Sequence, residues 1–303
     1  MPLQSSGTIT LAQIASEFGD SQPHSLSEFY AGGSAGVTSG GAPNVPSSGT
    51  ISMSQFYSAA NQVTVTISSG ATNQNVSTLF GSNFTSSVPK ILVINSGVEV
   101  GATSLSNYAL QVPSGMSGTL NIQNAGTISG AGGDGGAQNG GNATDGGTAL
   151  YIASSNVTVT NTGTIRGGGG GGGGGAVGQQ GGTINPVGSI YCFSGAPGTG
   201  GAGGDGQGYD QSQSNGAGGT AATPGTNNAG GNTGFGAMFC GGYNGSTGGS
   251  TGGNGGTYGN SGSAGGSQGG NSGGSAGSAG KYIQLSGVSY SLSNSGTLQG
   301  NAP

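Results

Sequence analysis

Hydrophobic and polar positions alternate with a period of two over much of residues 62–130. Val63, Val65 and Ile67 alternate with Thr64, Thr66 and Ser68, which predicts a half-buried strand. Lys90–Asn95 is apolar through its centre and reads as a buried strand. A longer pattern then recurs. Tyr108-Ala109-Leu110-Gln111-Val112 followed by Leu120–Gly130 returns as Ala149–Ile152 with Val157–Gly167, and again as Tyr282–Leu285 with Tyr290–Gly300. Each copy reads as a strand pair ending in Asn-x-Gly-Thr-(Ile/Leu)-x-Gly. Asn and Gly tolerate left-handed backbone, so this end is expected to be a turn returning to a short strand. One copy cannot bury its own apolar face, so the copies are expected to stack as a β-solenoid.

The pattern changes at both flanks. Residues 1–61 contain Ser5-Ser6-Gly7-Thr8-Ile9-Thr10-Leu11-Ala12-Gln13-Ile14, repeated as Ser47–Phe56, with a shorter copy at Ser25–Tyr30. Thr10 with Gln13, Ser25 with Glu28, and Ser52 with Gln55 are capping boxes, so three short helices are expected. Helices this short need a docking surface. Ile9, Ile14, Phe29, Tyr30, Ile51, Phe56 and Tyr57 are the candidates for anchoring on a partner protein, with Phe29 and Tyr30 expected to be exposed. The alternative is a small self-contained helical cap.

Glycine dominates residues 129–280, with a run at Gly167–Gly175 and a period of three at Gly253, Gly256, Gly259, Gly262 and Gly265. Strand copies bracket this region, which a linker would not require. The expected structure is a bundle of polyglycine-II helices, extended three-fold threads with no internal hydrogen bonds, bonded to one another through their backbones. The fold class is thus mainly β and polyglycine-II: short capped helices at the N-terminus, stacked β-strand repeats, then a sandwich of packed polyglycine-II helices. The domain boundaries are 1–61, 62–130 and 131–303. Two apolar islands interrupt the glycine, Thr183–Phe193 and Thr233–Tyr243. Each is either a loop at the bundle tip or a contribution to the core.

Composition narrows the function. Gly is 76 of 303 residues and only 4% are charged, with a net charge of −5, so phosphate neutralisation and nucleic-acid binding are excluded. Only 10 prolines and no sustained Gly-X-Y phase exclude collagen. No apolar run is long enough to insert in a membrane. Met1–Ser5 reads as neither the start of a signal peptide nor an apolar leader, which suits a particle assembled in the cytoplasm and released by lysis. Cys192 and Cys240 are either a disulfide or two small packing residues.

His24 reads as a local structural residue. The acids Glu17, Asp20, Glu28, Glu99, Asp134, Asp145, Asp205 and Asp210 lack the spacing of a glycosidase pair. Asp134 and Asp145 lack that of a calcium loop. No catalytic residue, metal site or cofactor is expected.

The run Asn161-Thr162-Gly163-Thr164-Ile165-Arg166-Gly167-Gly168-Gly169-Gly170 resembles the strand-to-polyglycine junction of bacteriophage tail-fibre tip adhesins of T-even-like phages. Gly280–Gly300 is similar to the C-terminal ends of several phage tail-tip proteins, and Ser47–Tyr57 resembles short segments of phage tail and fibre proteins. The N-terminal helical repeat and the lack of Trp in the final strand depart from that pattern.

The resemblance implies a non-catalytic adhesin in the virion, at the tail fibre or tail tip. Residues 1–61 would attach to other tail or fibre proteins. Loops would touch a bacterial outer-membrane protein or a surface glycan. Tyr191, Phe193, Tyr209, Phe235, Phe239, Tyr243 and Tyr258 are the receptor-binding candidates, because rigidly mounted aromatics among Asn, Ser and Thr suit recognition. The alternatives are a structural tail component packing only on its neighbours, or an ice-binding protein. The second lacks the regular Thr or Ala array it would need.

Overall fold

The computed structural model describes residues 2–38, 40–179, 197–220 and 247–303, and the backbone of 190–193 and 226–229. It is mainly β, with parallel sheets and little helix.

Residues 1–61 carry the three capped turns at the expected places. Helix α1 (Leu11–Phe18) starts at the Thr10–Gln13 capping box and stops at Gly19, whose φ of 71° is left-handed. Leu26–Phe29 and Met53–Phe56 are single 3-10 turns with reciprocal Ser25–Glu28 and Ser52–Gln55 boxes. They enclose a small core of Ile9, Ile14, Ala15, Phe18, Phe29, Val37, Ala42, Val45, Phe56 and Ala59. Phe29 and Phe56 are fully buried, so the expectation that Phe29 lies exposed is corrected. The apolar residue four positions after each cap, Ile14, Phe29 and Phe56, is the one that each capping turn buries.

The next element is a coil of five rungs. The first holds β1 (Val63–Ile67), β2 (Ala71–Thr72) and β3 (Gln74–Asn75); the second β4 (Lys90–Ile94), β5 (Glu99–Gly101) and β6 (Leu110–Val112). Helix α2 (Val76–Phe80) links them and adds Val76 and Phe80 to the core. The third rung holds β7 (Leu120–Asn124), β8 (Thr127–Ser129) and β9 (Leu150–Ile152). Strands β10 (Val157–Asn161) and β11 (Thr164–Arg166) open the fourth. An antiparallel pair, β12 (Ile190–Phe193) and β13 (Thr226–Ala229), lies within the glycine region before β14 (Ile283–Leu285) completes that rung. The last rung has two strands, β15 (Tyr290–Asn294) and β16 (Thr297–Gln299).

The strands stack in three parallel sheets, β1-β4-β7-β10-β15, β2-β5-β8-β11-β16 and β3-β6-β9-β14. The repeat is therefore a three-sided turn of a parallel β-helix rather than a strand pair. The chain turns a corner at Asn-x-Gly-Thr and does not fold back on itself. Register matches the sequence copies: Leu92, Ile122, Val159 and Leu292 stack in one column, and Val100, Ile128, Ile165 and Leu298 in another. Strand β4 alternates between buried and half-buried positions, so it covers one face of the core, where the apolar run suggested two.

Between the first and second sheets, Gly126, Gly163 and Gly296 act by close approach at the corners of the later rungs, and left-handed backbone is confined to Gly97 at the second rung's corner, with φ of 78°. A Cβ on Gly163 would meet Gly126 O, and one on Gly296 would meet Gly163 O, because successive rungs pass too closely. Asn124, Asn161 and Asn294 form an inward ladder. Asn124 Nδ2 donates to Asn161 Oδ1, and Asn161 Nδ2 to Asn294 Oδ1, both at 2.7 Å. At the other end of the same strands, buried Lys90 donates from Nζ to Ser86 O (2.8 Å), Val88 O (2.9 Å) and Ser117 O (2.8 Å). Burial lowers its pKa.

Both glycine excursions leave the same corner, after β8 and after β11, and return to β9 and β14. Their described residues run as eight extended threads: 130–136, 141–147, 167–178, 198–208, 214–220, 247–257, 260–266 and 273–280. Bonds between threads recur at every third residue.

Thread 167–178 is the hub. Gly168, Gly171 and Gly174 donate to thread 141–147, and Gly169, Gly172 and Gly175 to thread 198–208. Gly170, Gly173 and Ala176 donate to thread 260–266. Carbonyls of the same thread accept from 130–136, 247–257 and 273–280, so it has six neighbours. Every direction is occupied. That is why an unbroken glycine run stands here and a period of three suffices in outer threads, where one face meets solvent.

Candidate functional site at the far end of the glycine bundle

The bundle has two ends. At the near end Gly130, Gly147, Gly167 and Gly280 join the β-helix, and the turns at Tyr209 and Tyr258 reach it. Arg166 Nη2 pairs with Glu99 Oε1 at 2.9 Å, and Arg166 Nε donates to Ser129 Oγ at 2.8 Å. Ser129 Oγ in turn donates to Glu99 Oε1 at 2.6 Å. The Tyr258 ring lies over this cluster, its centroid 3.6 Å from Arg166 Cζ, a cation–π contact. Burial raises the Tyr258 pKa and outweighs the opposing effect of Arg166. The Tyr209 ring fills the space that a Cβ on Gly101 would take, and neighbouring Asp210 Oδ1 accepts from Gly132 N at 2.9 Å. Tyr209 and Tyr258 therefore join the bundle to the β-helix.

At the far end, Thr247 N donates to Gln179 O (2.9 Å) and Gln179 N to Thr247 Oγ1 (2.8 Å). Gly198 N donates to Thr247 O at 3.1 Å, and Thr220 N to Thr199 O at 2.8 Å. Gly200 N donates to Asn139 Oδ1 at 2.8 Å, and Asn271 Nδ2 to Val177 O at 3.0 Å. Residues 179, 197, 220 and 247, which bound segments 180–196 and 221–246, thus belong to one layer of neighbouring thread ends. The two segments meet through the β12–β13 backbone pair, Tyr191 opposite Asn228 and Phe193 opposite Thr226. The side chains of Tyr191, Phe193 and Cys192, and residues Phe235, Phe239, Cys240 and Tyr243, lie outside the described residues.

The N-terminal candidates divide by burial. Ile9, Ile14, Phe29 and Phe56 are buried in their own core, and Ile51 is half-buried. The half-buried Tyr30 and Tyr57 donate their hydroxyls to Gly49 O and Gly7 O. These residues hold residues 1–61 together, and none is freely presented to a partner.

The scattered acids have local tasks. His24 Nδ1 lies 2.9 Å from Asp20 Oδ2. Asp205 Oδ1 accepts from Gly135 N at 2.9 Å and Asp145 Oδ1 from Ser278 N at 2.7 Å. Asn142 Oδ1 and Asn254 Oδ1 accept from Ser275 N and Gly216 N. Polar side chains between glycines thus satisfy backbone donors of the adjoining thread, a role that residue spacing did not reveal. Among the described residues no three His, Cys, Asp or Glu come together as a metal site.

No curated protein matches the chain. Among solved structures it is similar to the gp37-gp38 adhesin tip complex of the bacteriophage S16 long tail fibre. The two are 18% identical with a TM-score of 0.45, and the alignment covers 99% of this chain and 100% of that one. The family model for phage tail fibre adhesin Gp38 matches residues 62–303, the whole β-helix and glycine bundle. The chain therefore belongs to the phage tail fibre adhesin Gp38 family and is a tail-fibre protein of a bacteriophage virion.

Proposed function

We propose that this chain is the non-catalytic, host-recognising tip of its fibre. The glycine threads are polyglycine-II helices packed as a sandwich, and segments 180–196 and 221–246 carry the receptor contacts. The observation that carries this reading is that both segments begin and end in the one layer of thread ends opposite the β-helix. At about 3.1 Å per residue, the thread from Gly167 to Gln179 would hold that layer roughly 35 Å from the junction. A rigid mount lowers the ordering cost of loops that bind.

Tyr191, Phe193, Phe235, Phe239 and Tyr243 are the contact set, and Tyr209 and Tyr258 leave it because they serve the junction. The ligand is a bacterial outer-membrane protein or surface glycan. Residues 1–61 attach the chain to other tail or fibre proteins. Replacing Phe239 and Tyr243 by Ala is expected to abolish adsorption to host cells while particles still carry the chain. Unchanged adsorption would refute the assignment, and loss of the chain from particles would make these residues core.

A further inference from the structure

Stacking of the rungs gathers polar side chains at a second place, on the flank of the β-helix. Thr119, Asn156 and Ser289 each stand immediately before a strand of the first sheet, which begins at Leu120, Val157 or Tyr290. Leu120 pairs with Val157 and Val157 with Tyr290, so the three preceding residues form a column down the third, fourth and last rungs. Thr158 and Ser291, paired in the same register, begin a second column two residues further along the strands. Neighbouring strands lie about 4.8 Å apart and alternate residues about 6.6 Å, so the five side chains make a small grid. They line a recess of about 470 Å³, and Val157 and half-buried Tyr290 complete its wall. The recess is firmly built. Leu120 N donates to Asn156 O at 3.1 Å, and buried Ser154 Oγ accepts from Met116 N at 3.3 Å and donates to Pro113 O at 2.5 Å. Asn156 itself holds left-handed backbone, φ 60°, which Asn tolerates better than most residues. On the same face Thr160 Oγ1 and Asn121 Oδ1 bond each other at 3.2 Å, whereas the five lining side chains have no hydrogen-bond partner among the described residues.

We propose that this recess is a subsite for neutral sugar units of a bacterial surface polysaccharide, separate from the loops at the far end of the bundle. The sugar class follows from the lining. Four hydroxyls and one carboxamide supply both donors and acceptors, which is what a ring of hydroxyls needs. No Lys, Arg, His, Asp or Glu lines the recess, so neither an anion nor a cation finds a counter-charge there. Small-molecule pockets are usually walled by apolar and aromatic side chains, and a site of the same size, about 300–1,000 Å³, with a polar wall selects a hydroxyl-rich ligand instead. The bacterial source of the polysaccharide rests on the fibre-tip reading above. The position adds a role. The recess lies where the third sheet turns into the first, whereas both glycine excursions leave between the second and third. A polysaccharide held here therefore runs along the flank of the β-helix and leaves the far-end loops free. Each exposed hydrogen bond replaces one to water and adds little, so the hold is weak and reversible. A weak hold at the flank raises the effective concentration of the loops at the cell surface.

The test is saturation-transfer NMR on the full chain with two probes from the bacterium on which the phage grows. One is the polysaccharide freed from lipid A of its lipopolysaccharide, and the other is its capsular polysaccharide. Transfer to at least one is expected, and the probe that responds names the source; transfer to neither overturns the proposal. Thr158→Val keeps the side-chain shape, and Asn156→Gly keeps the left-handed backbone. Each is expected to weaken binding about two- to tenfold, while Thr66→Val, exposed on β1 outside the recess, leaves it unchanged. Equal affinity in all three variants overturns the site. The paired variant Phe239→Ala, Tyr243→Ala is expected to bind the polysaccharide as the parent chain does. Binding lost in that pair and kept in Asn156→Gly would move the sugar to the loops, overturning the recess and leaving the tip reading in place. Binding that depends on Asn156 together with unchanged adsorption of the pair would support the recess and refute the tip reading.

Discussion

Replacing Gly171 by Ala tests whether backbone packing holds the bundle together. A Cβ there would stand 2.0 Å from Asp134 O and 2.5 Å from Asp134 C, both main-chain atoms with no rotamer to change. Relief requires thread 130–136 to move away by more than about 1 Å, judged against ordinary carbon–oxygen contact near 3.3 Å. The same thread donates Gly133 N to Gly169 O and Gly136 N to Gly172 O, each at 2.8 Å. A shift of that size breaks both. Each broken buried bond costs about 1–3 kcal/mol, and overpacking alone costs about 1–3 kcal/mol. The smaller unfolded-state entropy of Ala returns about 0.4–1 kcal/mol. The net expectation is a local loss of about 3 kcal/mol or more.

Gly218→Ala is the control. Nothing lies within 4 Å of its added Cβ, so it is expected to be neutral or slightly stabilising. Because the chain has more than one core, a single melting temperature mixes several transitions. Amide exchange of residues 167–178 reads the local opening directly. A loss of 3 kcal/mol speeds exchange by about two orders of magnitude. Gly171→Ala with the same exchange as Gly218→Ala would refute the claim that interlocked main chains replace a side-chain core.

Two further predictions concern the β-helix and its junction. Asn161→Ala breaks the ladder from both sides and leaves buried Asn124 Nδ2 with only its 3.2 Å bond to Thr164 O, at an expected cost of about 2–3 kcal/mol in urea unfolding. Asn294→Ala, at the exposed end, costs under about 1 kcal/mol, and equal costs would deny the ladder its role. Tyr258 has a folded pKa raised above 10.0, so above that pH the unfolded state loses its proton first and stability falls as pH rises. Tyr258→Phe keeps the ring over Arg166 and is expected to flatten the stability profile above pH 10, read by unfolding at a series of pH values. A profile identical to that of the parent chain would remove Tyr258 from the explanation.

The sequence by itself determined whatever depends on local pattern or on repetition. Capping boxes at Thr10, Ser25 and Ser52 set three helical starts, because the partners lie within one turn of each other. The copies that share Asn124, Asn161 and Asn294 announced stacking, because identical inward columns require identical register. The glycine run announced a region without side-chain packing.

Tertiary structure alone decided the rest. The number of strands in a rung depends on where corners bend, and the two- and three-residue strands are too short to show a period. Phe29 and Tyr30 read as exposed because a two-residue apolar step has no face until three such steps meet around Phe18, Phe29 and Phe56. In the sequence Tyr258 and Tyr209 stand among the receptor-binding candidates, with nothing to mark them as junction residues. Arg166, 92 positions from Tyr258 in the chain, becomes its neighbour only when the second excursion has returned. Spacing along a chain encodes contacts within a turn or a strand; contacts made by closing a long loop have no such imprint.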